Sequence, residues 1–142
     1  MTDEKLILRR AFEAQKRIAE LQSRREHYLE MATSISGMSE NKIRSTDKRS
    51  RVETAALELV DLAAELGDQA AELVGALRAA ERLLALLPQG KYRQLLSLRY
   101  LEALPWPEII ARMRFSDTDS AYHMHGWALS ELRKAVRLQD GV

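Results

Sequence analysis

A chain of 142 residues has room for one compact domain, or for one domain with an elongated element attached. Its 22 Lys and Arg against 21 Asp and Glu leave a net charge of +1, which excludes a histone-like or polybasic protein. Six glycines and three prolines are too few for an all-β or linker-rich chain, and the lack of cysteine excludes disulfides, thiolate nucleophiles and cysteine-based metal sites.

The charge is unevenly spread: +3 over residues 1–50, −4 over 51–90 and +2 over 91–142. The N-terminal TDEKLILRR mixes acids and bases without an apolar core, so no secretory signal is expected. No stretch approaches the ~20 apolar residues of a membrane span. A reducing cytoplasm, with no membrane partner, is the expected location.

Residues 3–34 read as one long helix, uninterrupted by Gly or Pro. A heptad frame places Ala11, Ile18, Arg25 and Ala32 at a, with Ile7, Ala14, Leu21 and Tyr28 at d. Residues 35–49 lose this period, and Gly37 with several Ser and Asn predicts a connection. Ser50-Arg51-Val52-Glu53 has the S-x-x-E form of a capping box, so a second helix is expected over 51–87, starting there or a turn earlier. Val52, Leu59, Leu66, Leu73, Ala80 and Leu87 recur every seven residues, and Pro88 and Gly90 end the run. At 1.5 Å per residue this helix is ~55 Å long.

Arg10, Arg17 and Arg24 lie at g of the first helix, and Glu58, Glu65 and Glu72 at g of the second. An antiparallel hairpin pairing Arg10 with Glu72, Arg17 with Glu65 and Arg24 with Glu58 also aligns Ile18 with Leu62 and Leu21 with Leu59. Leu57, Val60, Ala64, Ala71 and Val74 widen the apolar stripe beyond one neighbour. A homo-oligomer, a dimer or larger, is expected through this hairpin.

Lys91–Leu104 is amphipathic, with Leu95, Leu98 and Leu101 inward, and Pro105 ends it. Trp106–Met113 reads as a short helix with Pro107 and Glu108 in its first turn, where both suit the unpaired N–H groups. Arg114-Phe115-Ser116 is the turn, and Ser116 or Asp117 caps a last helix to about Leu138. Ala121, Met124, Ala128, Leu129 and Leu132 form its apolar face. The expected architecture is all-α: a long antiparallel helical hairpin over 1–88 and a helix-turn-helix domain over 89–142.

LLSLRYLEALPWPEIIARM, followed by HGWALSELRKAV, resembles region 4 of bacterial sigma factors. It is still more similar to the sigma-like helix-turn-helix of phage-encoded regulators of the ArpU/RinA type. Leu98-Arg99-Tyr100, Leu104, Trp106, Glu108-Ile109, Met113, Phe115-Ser116, His125-Gly126 and Ala128-Leu129 carry the resemblance. The front half is similar too, through Ala32–Ile35 and Met38-Ser39. The chain departs from the pattern in several places. Pro105 replaces a Ser or Thr cap, Arg114 replaces a turn Gly, and Phe115 to His125 is one residue longer. Asp117 and Asp119 stand where Arg or Gln is usual, and acids repel phosphate, although a carboxylate can accept from cytosine N4.

The resemblance implies a phage or prophage transcription regulator that binds promoter DNA as an oligomer and also touches host RNA polymerase. In a helix-turn-helix the second helix lies in the major groove. The exposed start of the last helix then supplies the base-reading candidates Thr118, Asp119, Ser120, Tyr122 and His123. Arg112, Arg114, Arg99 and Lys91 are the phosphate candidates. Arg133, Lys134 and Arg137 further along serve equally well as solvated charges, and the loop bases Lys42, Arg44, Lys48, Arg49 and Arg51, which can touch phosphate, more often form a solvated loop. Two other readings stand beside this one. One is a small-terminase-like packaging protein assembling in a ring, and the other an adaptor whose acids abolish DNA binding.

His123 and His125 lie roughly 200° apart on a helix and cannot share a metal. The scattered glycines form no phosphate loop, and no catalytic group emerges, so neither enzyme activity nor a cofactor is expected. Gly126, inside a helix, is expected to mark a close helix contact.

Overall fold

The computed structural model describes residues 3–37 and 45–141, and all of its regular structure there is helical. Helix α1 spans Glu4–Gly37 and α2 spans Ser45–Leu84. Helix α3, Lys91–Leu96, runs directly into a π-helical segment, Ser97–Leu101. Helix α4 covers Trp106–Met113 and α5 covers Thr118–Asp140. The loop bases Lys42 and Arg44, with Met38-Ser39, lie outside the described residues. Helix α2 begins before Ser50, so Ser50–Glu53 is helix interior rather than a cap, and the Thr54 hydroxyl donates to the Ser50 carbonyl at 2.8 Å.

The chain divides into two compact units. One comprises residues 1–16 with 72–142, the other residues 17–71. The division falls inside the two long helices rather than at residue 88. The reason is visible in the core of the first unit. Leu8 and Ala11 of α1, Ala80, Leu83 and Leu84 of α2, Leu87, Leu96, and Ala128, Leu132 and Val136 of α5 are buried in one cluster. Helix α5, 23 residues long, supplies enough apolar surface to gather the start of α1 and the end of α2 around itself. Leu8 and Leu84 fall outside the a and d positions, and both are fully buried there.

In the unit formed by residues 17–71, Leu21, Ala55 and Leu62 are buried. The Arg17 Nε donates to the Gln69 Oε1 at 3.0 Å, one helical turn beyond Glu65. Arg17, Arg24 and Glu65 border one cavity of about 390 Å³. Arg10, Arg17 and Arg24 repeat with the same period as Glu58, Glu65 and Glu72. Registers seven residues apart therefore differ by only one rung, and exposed pairs worth ~0.2–1 kcal/mol each do little to distinguish them.

A second cluster buries Leu95, Leu98 and Ile109, with Leu104, Trp106, Met113, Phe115 and Met124 packed around them. It joins α3, the π-helical segment, α4 and α5. The π-helical turn ends with the Glu102 N–H donating to the Ser97 carbonyl at 3.1 Å, and Ala103 follows in the left-handed region at φ 53°. Gln15 of α1 braces this segment, its side-chain amide donating to the Tyr100 carbonyl at 2.8 Å.

Candidate nucleic-acid interface

The turn between α4 and α5 is built by two local devices. Arg114 closes α4 in the left-handed conformation, φ 58° and ψ 43°. The sequence departs from a turn glycine here, yet the backbone takes the conformation that a glycine would take most cheaply. Asp117 then opens α5: its Oδ1 accepts from the Ser120 N–H at 2.7 Å, and the Ser120 hydroxyl lies 3.4 Å from that of Ser116. The bonds from the Ser120 backbone and side chain, with the nearby charge of His123, hold the Asp117 carboxyl below the usual range. At the start of α4, Pro105 is the extended residue before the helix and offers no side-chain cap.

Thr118, Asp119, Tyr122 and His123 are exposed, and helical geometry places them on one arc of α5. Ser120 is half-buried, and Ala121 beside it is fully buried. Tyr122 meets Trp106 edge-on, with ring centres 5.1 Å apart. His123 stacks on Trp127 at 6.2 Å, and Trp127 remains 58% exposed.

The four phosphate candidates have different surroundings. Arg114 is exposed and carries no ion pair among the described residues. Arg112 is half-exposed and divides its guanidinium between Glu108 at 2.9 Å and Glu102 at 3.8 Å. Arg99 is committed to the fold: its guanidinium carbon lies 4.5 Å from the Phe12 ring centre and 5.0 Å from that of Trp106. Its Nη1 also donates to the Leu104 carbonyl at 2.9 Å. Such cation–π contacts are worth ~0.5–2 kcal/mol, so Arg99 braces the cluster. Lys91 is exposed at the start of α3, one helix away from the turn.

Further along α5, Arg133 bonds Glu4 and Lys134 bonds Glu131. Gly126 is exposed, and a Cβ built on it meets nothing within 4 Å, so the expected close helix contact does not occur among the described residues. Among the described residues no group of three His, Asp or Glu could hold a metal, and no helix is long and apolar enough to cross a membrane. The Tyr100–His125 hydrogen bond, which links the π-helical segment to α5, had no signal in the sequence beyond the two residues themselves. No protein-family model matches the chain, and no similar curated protein or solved structure is found.

Proposed function

We propose that residues 89–142 act as a helix-turn-helix of sigma region-4 type that binds double-stranded DNA, and that the chain is a phage or prophage transcription regulator. One observation carries this reading: the first turns of α5, fixed by the left-handed Arg114 and the Asp117 cap, present Thr118, Asp119, Tyr122 and His123 together to solvent. Exposed polar side chains at the start of a well-anchored second helix are what reading a major groove requires. The cap also gives Asp117 a local partner, which leaves Asp119 as the acid that faces DNA directly. Arg114 is the leading phosphate contact, and Arg112 joins it when its carboxylates yield. Residues 1–88 supply the hairpin that brings two such domains to paired half-sites, and the host RNA polymerase is the second partner.

The test is a fluorescence-anisotropy titration against DNA fragments from the protein's own genomic neighbourhood, repeated over a series of salt concentrations. One fragment should bind above the rest, with affinity falling steeply as salt rises. A folded protein that binds none of them would remove the reading. The exposed Trp127 and Tyr122 on the same helix favour a second reading, an adaptor that docks on a protein. Partner binding that ignores salt, without DNA binding, would select it.

A further inference from the structure

Helix α2 carries a second apolar seam. Ala55 and Leu62 are buried on one side of it, with Leu59 and Leu66 half-buried beside them. On the opposite side, Leu57, Val60, Ala64, Gly67 and Ala71 follow one another at alternating spacings of three and four, and all five are exposed. Leu57 and Val60 are 68% and 67% exposed. This is the spacing of a coiled-coil seam.

Gly67 is the smallest member, and glycine inside a helix is unfavourable relative to alanine. A Cβ built on Gly67, as on Gly75 and Gly126, meets nothing within 4 Å among the described residues, so the face is open there and a second helix can approach it closely.

The seam is complementary to itself in size. Turned antiparallel about a two-fold axis at the level of residue 62, Leu57 faces Gly67 of a second copy and Val60 faces Ala64. Each large side chain then meets a small one, as interdigitated packing requires. On one flank Ala63 meets its own copy, and Ala56 meets Ala70. On the other flank Asp61 meets its own copy.

We propose that two copies of the chain pair through α2 in this antiparallel register, with Leu57 seated over Gly67 of the second copy. The proposal deepens the regulator reading and rests on it only for the purpose of the dimer. The facing Asp61 carboxylates repel, so added salt tightens the dimer. That is opposite in sign to the salt dependence of DNA binding.

The chain has no cysteine, so single-cysteine variants report the register directly. Oxidised Ala63→Cys should cross-link into a dimer, because it flanks the axis and meets its own copy. Ala71→Cys should not, since its copies lie far apart in this register but adjacent in a parallel one. Leu57→Glu should weaken the dimer by roughly 100-fold in sedimentation, because it buries an unpaired charge, while helical circular dichroism is unchanged. Cross-linking through residue 71 but not 63, or a monomer at every concentration, would overturn the proposal. Failure of the regulator reading looks different: no DNA is bound, while the cross-link through residue 63 persists.

Discussion

Tyr100 and His125 are joined by a 2.8 Å hydrogen bond between the phenol oxygen and the imidazole Nε2, and their rings stack with centres 5.8 Å apart. Trp106 meets the same imidazole edge-on at 5.1 Å. Burial, then the charges of Arg99 and Lys5, hold the His125 pKa below 6.5. Burial raises that of Tyr100 against the opposing pull of Arg99 and Arg9. A protonated phenol donating to a neutral imidazole satisfies both groups.

This pair predicts an acid-sensitive step in stability. The unfolded chain takes up the His125 proton more readily than the native one, so the contribution is fully present above about pH 6.5 and is lost as pH falls below it. His125→Gln should flatten that part of the stability–pH curve in urea titrations. An unchanged slope would show that the imidazole titrates alike in both states.

Glu4 and Arg133 give a second, lower step. Glu4 is 7% exposed, and its carboxylate accepts from the Arg133 Nε at 2.9 Å. Burial raises its pKa, but the Arg133 bond, its own backbone N–H and the guanidinium charge outweigh that and leave it lowered. Its contribution is present above about pH 4.5 and is lost as pH falls through the lowered native value. Because Arg133 is half-exposed, Glu4→Gln should cost only about 1 kcal/mol at neutral pH, measured by chemical denaturation.

Arg114 and Ala103 are the two non-glycine residues in the left-handed region among those described. A side chain there costs ~1–2 kcal/mol, part of which glycine returns as unfolded-state entropy. Arg114→Gly and Ala103→Gly should each raise stability by up to about 1 kcal/mol. Arg114→Gly should also lower DNA affinity and reduce the salt slope by about one, whereas Ala103→Gly should leave both unchanged. A parallel loss in both variants would point to a change of turn geometry rather than a lost phosphate contact.

Under the proposed DNA-binding reading, Glu108, which holds Arg112 at 2.9 Å, competes with phosphate for it. Glu108→Gln should release the guanidinium and tighten DNA binding, most visibly at low salt. Arg112→Ala in the wild-type background should cost less affinity than Arg114→Ala. Equal losses would mean that the Glu108 contact yields freely on binding.

What could be read from residues alone followed the range of the interactions. The turn over Arg114–Ser116, a cap at Ser116 or Asp117 and the inward Leu95 and Leu98 depend on neighbours within a few positions, and the sequence pattern carries them; the left-handed backbone of Arg114, where no glycine marks it, is not legible there. The register of α1 against α2 depends on which of several equivalent heptads meet, and a repeating charge pattern does not distinguish them. Leu8 and Leu84 are buried by α5, a partner about 120 and 50 residues away respectively in the chain. The charge that makes Arg99 a phosphate candidate is written in the sequence, while the two rings that enclose it come from α1 and α4. The π-helical segment over Ser97–Leu101 leaves no mark in an apolar period only five residues long.

The two tryptophans sit in contrasting surroundings, and this makes the protein its own optical reporter. Trp106 is enclosed by Arg99, Tyr122 and His125, so its emission should be blue-shifted and partly quenched by the ring and guanidinium beside it. Trp127 is largely open to solvent on α5, and iodide should reach it freely. A ligand that covers the start of α5 should shield Trp127 while leaving Trp106 dark. Protonation of His125 in acid should instead change the emission of Trp106, which meets that imidazole edge-on. The intrinsic fluorescence of the unlabelled chain thus separates occupancy of the surface from loosening of the cluster beneath it.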